Sequence, residues 1–122
     1  SLVMHYFRDW NVTVNEMHRV LKPGGCAVIS THHPFMTDRL FQPENFHDCY
    51  EVEDTWGKGE DKFKVHYYIR SLEDTLKPFI ESPIYIRKIS EALPDESMRE
   101  AHPDIYDRLR CKPSFLFIVI EK

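Results

Sequence analysis

His32 and His33 stand side by side and are followed by Pro34. An imidazole with an ordinary pKa of about 6.5 can take a proton from a substrate at neutral pH. The pair leaves the carboxyl end of a predicted strand, where ligands collect in open α/β sheets. His32 and His33 are therefore candidate general bases, and Pro34 a candidate substrate contact. The alternative is that one of these histidines hydrogen-bonds backbone while Pro34 fixes the loop exit. A zinc reading built on His32, His33, His47 and Cys49 is weaker, because their spacing fits no standard site and adjacent histidines on a strand point to opposite faces. No metal is assigned.

Aromatic residues follow at close intervals. Phe46, Tyr50, Trp56, Tyr67, Tyr68 and Arg70 could line a lid over an aromatic or lipid-like ligand. Of these, Tyr50, Trp56, Tyr67 and Arg70 are the candidate substrate-binding residues, although the same side chains would also make a hairpin apolar enough to dock. Glu51, Glu53 and Asp54 read as a solvated strand face rather than a metal cage. Cys26, Cys49 and Cys111 are an odd, widely spaced set without a Cys-x-x-Cys pair. That argues against a disulfide framework and makes a reducing cytoplasm the expected compartment.

With 16 basic and 20 acidic side chains interspersed along 122 residues, the net charge of −4 leaves no cationic block to track phosphates. A nucleic-acid partner is not expected. The longest apolar run, residues 115–120, is far short of the roughly 20 residues needed to cross a bilayer, and no basic-then-apolar leader precedes Asp9. A membrane partner is not expected either. The composition, 42% hydrophobic and 30% charged, suits one ordinary soluble domain or part of one.

Several elements must position these side chains. Ser1-Leu2-Val3-Met4 reads as the end of a buried strand. Trp10, Val14, Met17 and Leu21, with Val20 beside them, form the apolar stripe of a helix. Asp9 or Thr13 can cap its start, Thr13-x-x-Glu16 having capping-box spacing, and Arg19 and Lys22 suit its end. Pro23-Gly24-Gly25 then reverses the chain into Cys26-Ala27-Val28-Ile29, apolar on successive residues like a strand covered on both faces. Strand, helix and strand make a βαβ crossover over residues 1–34.

Residues 35–70 form an insertion in which 50–56 and 62–70 alternate as a hairpin, with Phe63, Val65, Tyr67 and Ile69 on one face. Residues 71–122 begin with a short helix that Pro78 should end or kink. They continue through an edge-type strand at 84–89 and a polar stretch, 94–112, with two short helical turns at most. They close on an interior strand at 115–120.

Here the residues carry a resemblance. Ser1-Leu2-Val3-Met4-His5-Tyr6-Phe7-Arg8-Asp9-Trp10, then Glu16-x-x-Arg19-Val20-Leu21-Lys22-Pro23-Gly24-Gly25, then Ser30-Thr31-His32-His33-Pro34 resembles the second half of a class I S-adenosylmethionine-dependent methyltransferase of the type 11-like small-molecule kind. The likeness extends to Pro113-Ser114-Phe115-Leu116-Phe117. It implies an α/β fold: a partial Rossmann-like methyltransferase sheet, strands four to seven of the order 3, 2, 1, 4, 5, 7, 6, with the seventh antiparallel and a β-hairpin lid inserted.

The resemblance further implies methyl transfer from S-adenosylmethionine to a small-molecule acceptor, with Ser1, Leu2 and His5 bordering the cofactor. Catalysis would be mostly positioning, since the cofactor brings the activated methyl. The four glycines, Gly24, Gly25, Gly57 and Gly59, form no Gly-x-Gly-x-x-Gly. The glycine-rich cofactor loop and the acidic ribose partner thus have no counterpart, and the chain alone is expected to be inactive and to bind the cofactor weakly or not at all. The other expectation is a non-catalytic interaction module, a homo-oligomer joined through the cut sheet edge beside residues 1–4.

Overall fold

The computed structural model describes residues 2–57 and 59–122. Ser1, assigned to the cofactor by resemblance, lies outside them. A short 3-10 turn over Met4–Tyr6 leads into α1 (Asn11–Val20). The Asp9 carboxylate accepts the Asn11 backbone N–H at 2.8 Å and so starts the helix. Thr13 lies inside it, and Glu16 pairs with Arg19 rather than closing a capping box. Trp10 and Val14 are buried, with Met17 and Leu21 packed against them. Val20, placed beside this stripe by sequence, faces solvent.

Gly24 takes a positive φ of 72°. At Gly25 a Cβ would stand 2.8 Å from the Lys22 carbonyl oxygen, so neither position of the turn accommodates a side chain without strain. The turn is clasped to the last residue: the Gly24 N–H donates to the Lys122 carbonyl at 2.8 Å and the Lys122 N–H to the Gly25 carbonyl at 3.1 Å.

Strand β1 (Cys26–His32) then leads directly to α2 (Pro34–Phe41), β2 (Tyr50–Trp56) and β3 (Phe63–Ile69). After α3 (Leu72–Ile80) come β4 (Tyr85–Glu91), α4 (Ser97–Ala101), α5 (Pro103–Cys111) and β5 (Phe115–Glu121). β5 lies between β1 and β4 and is antiparallel to both, with Ile118 opposite Ile29 on one side and Ile89 on the other. β2 and β3 form a separate antiparallel hairpin, Val52 opposite Tyr67.

Four expectations need correction. Among the described residues the first strand of the crossover is reduced to one parallel bridge, Leu2 to Ser30, because the chain coils into the 3-10 turn two residues later. β1 is covered on one face only. α1 and α3 pack on the side of Ile29, Leu116, Ile118 and Ile120, and Val28 on the other side is 66% exposed. Pro78 does not end α3, which runs two residues beyond it. The bond it forfeits is near the helix end, and the Glu81 N–H still reaches the Lys77 carbonyl at 2.9 Å. The polar stretch holds a nine-residue helix, α5, opened by Pro103 at its first turn and anchored by buried Tyr106.

α2 was also not anticipated. Its start, Pro34 at the first position with a His33 side chain accepting the Phe35 N–H at 3.2 Å, follows the rule that proline suits a helix opening.

The one-sided sheet makes a prediction. Ile118→Ala, at a fully buried central position, should lower the free energy of unfolding by about 2–5 kcal/mol. Val28→Ala should change it by no more than about 0.5 kcal/mol. Urea titration followed by circular dichroism checks both; equal effects would mean the open face is packed.

Candidate functional site

The 3-10 turn carries His5 to the end of β1, where it stacks on His32 with ring centroids 4.5 Å apart and planes 10° from parallel. The hairpin closes over this pair. Tyr67 of β3 meets both imidazoles edge-on, at 5.1 Å from His5 and 5.2 Å from His32. Trp56 of β2 lies 6.4 Å and 6.3 Å from the same two rings. Asp54 organises the lid side: its carboxylate accepts from the Trp56 indole N–H at 2.8 Å and the Tyr67 hydroxyl at 3.3 Å.

Burial dominates the electrostatics here. His5 is 2% exposed, and its pKa is pushed down to about 4 by loss of solvent, with His32 adding to the effect. Burial lowers His32 too, partly opposed by the negative charge of Asp54. Both rings are therefore neutral at pH 7. The Tyr67 phenol is driven well above its usual range by burial and then by Asp54, so it remains a donor.

His33 points the other way, as alternation along a strand requires. Its Nδ1 accepts the Phe35 N–H and its Nε2 lies 2.8 Å from a Glu91 carboxylate oxygen. The Nδ1 contact needs a lone pair, so the proton sits on Nε2 and both nitrogens are engaged. Arg70, at the far end of β3, donates to the Phe7 carbonyl at 2.6 Å and lies 4.6 Å over the Trp10 ring. Burial lowers its pKa, against the opposing influence of Cys49, Asp74 and Asp9.

Among the sequence-derived candidates, the structure thus brings His5, His32, Trp56 and Tyr67 into one cluster. Arg70 and Pro34 line a small cavity shared with His5 and His32. Tyr50 is held elsewhere, its hydroxyl between the Asn45 N–H and Asp48. Leu2 is half-buried at its bridge to Ser30. Among the described residues no group of three or more His, Cys, Asp or Glu side chains converges as a metal site would.

Two residues gain importance that sequence reasoning had set aside. Asp54 was read as part of a solvated face, yet period two places it with Tyr50, Val52 and Trp56 on the inward side of β2. Trp10 is buried, as its place on the α1 stripe implies, but among the described residues its indole Nε1 has no hydrogen-bond partner, and its ring forms a wall of the cavity.

The four glycines form no Gly-x-Gly-x-x-Gly, and the His5 side chain is enclosed by aromatic rings. A complete S-adenosylmethionine site therefore does not fit these residues alone.

The depressed His5 pKa predicts a pH dependence. The unfolded chain protonates His5 at about pH 6.5 and the native chain only at about 4. Stability is thus lost as pH falls through that window, by about 3 kcal/mol at its foot. Urea unfolding of wild type and His5→Phe across the window should show wild type losing about 3 kcal/mol relative to the variant as pH falls; parallel curves would show that His5 is not held neutral.

No protein-family model matches the chain, and no curated protein matches it significantly. Solved structures do. An S-adenosylmethionine-dependent methyltransferase from Mesorhizobium loti superposes with a TM-score of 0.70 at 21% identity, over 99% of this chain and 58% of its own. A Listeria monocytogenes protein, assigned as an S-adenosylmethionine-dependent methyltransferase, superposes with a TM-score of 0.74 at 20% identity, over the same shares. The fold is that of S-adenosylmethionine-dependent methyltransferases, of whose length in these two proteins this chain spans 58%.

Proposed function

We propose that the chain is the acceptor-side portion of an S-adenosylmethionine-dependent methyltransferase acting on a small molecule. The observation that carries this reading is the superposition along 99% of the chain, supported by a neutral histidine pair roofed with aromatics at the end of β1. When bound, the cofactor supplies the activated methyl group. These residues shape the acceptor pocket, exclude water with Trp56 and Tyr67, and receive the proton the acceptor sheds. The neutral His32 ring, stacked on His5 at the end of β1, keeps one nitrogen lone pair and is the side chain we assign to accept that proton. His33, with both nitrogens engaged, orders the start of α2.

The test is methyl transfer from radiolabelled S-adenosylmethionine to a panel of small hydroxyl, amine and thiol acceptors, with the polypeptide as its gene encodes it. His32→Gln should lower kcat by about 100-fold, while His33→Gln should cost stability and leave kcat within a few-fold. Absence of transfer to every acceptor, or an unchanged kcat in His32→Gln, would refute the reading.

A second reading is favoured by the sheet itself. β1 is an edge strand whose outer side carries one bridge, and beside it Val28 and Tyr85 lie on an open apolar face, Tyr85 74% exposed. A second copy pairing along β1 would satisfy that edge. Sedimentation of the 122-residue chain at micromolar concentration should then give a dimer; a clean monomer removes this reading.

A further inference from the structure

Among the described residues, five buried side-chain nitrogens lack a hydrogen-bond partner: both of His5, Trp10 Nε1, His32 Nδ1 and Arg70 Nε. All four residues line the same small pocket, with about 10 Å³ of free space. Buried polar groups in folded proteins are nearly always paired, so their concentration around one small space marks a place built for a polar atom. Trp10 Nε1 and Arg70 Nε can only donate. What they lack is therefore an oxygen acceptor, and the guanidinium makes an anionic oxygen the strongest one.

Arg70 has no competing partner of that kind. Among the described residues it joins no ion pair, and its Nη2 is committed to the Phe7 carbonyl. Trp10 and Arg70 also line an outer cleft of about 320 Å³ between the start of α1 and the body of α3. Arg8, Lys77, Asp9, Asp74 and Glu81 share that cleft, so with Arg70 its charges cancel; Asp9 and Asp74 favour the Arg70 charge without bonding it, and its Nε is left to an entering anion. The inner space admits one oxygen atom and the outer cleft the body of a small molecule.

We propose that the cavity between His5, Trp10 and Arg70 seats a carboxylate oxygen of a small-molecule ligand whose body lies in the outer cleft. The seat is argued independently of the function proposed above, since His32 does not line the outer cleft that takes the ligand's body. Binding is measured without methyl transfer, so the two can fail separately.

The experiment follows the Trp10 indole and Arg70 Nε resonances of the ¹⁵N-labelled polypeptide, as its gene encodes it, during titration with benzoate, with benzyl alcohol as the uncharged control. Both resonances should move saturably with benzoate and stay in place with benzyl alcohol. Arg70→Lys, which keeps the charge and loses Nε, should weaken benzoate binding by about tenfold. Trp10→Phe, which keeps the ring and loses the donor, should weaken it in the same direction as read at Arg70. Immobile resonances, equal shifts with both compounds, or an indole that shows only a long-lived water contact in excess benzoate would overturn the proposal.

Discussion

The antiparallel seating of β5 between β1 and β4 is the constraint on which the other contacts depend. Leu116, Ile118 and Ile120 project from it toward α1 and α3 and are essentially removed from solvent. At about 1.5–3 kcal/mol for each such side chain, they outweigh any surface ion pair in the molecule, such as exposed Arg19–Glu16. β5 also fixes where β1 ends. His32 lies opposite Phe115, and the His33 N–H donates to the Ser114 carbonyl at 3.0 Å. The direction in which each adjacent histidine points is therefore decided by the register of a strand about eighty residues away in sequence.

From that register come two different environments for neighbouring residues of one type. His32 enters an aromatic enclosure where burial suppresses its charge. His33 enters a polar one, with a backbone amide on one nitrogen and a carboxylate on the other. The first arrangement leaves a lone pair available and the second leaves none, which is why chemistry can be argued for one ring and helix capping for the other. The lid contributes through Asp54, whose bonds to Trp56 and Tyr67 hold the enclosing rings in place at the cost of placing a carboxylate near them.

Strands whose apolar residues run without interruption, at 26–29 and 115–120, were legible because such runs suit extended chain packed in a sheet. The same pattern misled on coverage, since an apolar run reports what a strand can bury and not whether a layer covers each face; Val28 shows the difference. The helix α1 was legible from its stripe. α2 was missed because its apolar residues are irregular, although Pro34 marked its start. The candidate site was legible in residue types and illegible in partners: nothing local tells that His5 stacks on His32, because that contact is made across the chain by the 3-10 turn. Asp54 was recoverable from alternation, had the charged residue been allowed to share a face with its apolar neighbours.

The irregularity in β4 has a bearing on growth of the sheet. Pairing with β5 slips between Ile86 and Lys88, and Arg87, displaced there, is bonded to Glu121. A strand that is kinked and cationic along its free margin makes a poor template for further strands. Pairing of a second copy along β1, as proposed above, would leave this margin uncovered and close the assembly at two chains rather than opening it into a fibril.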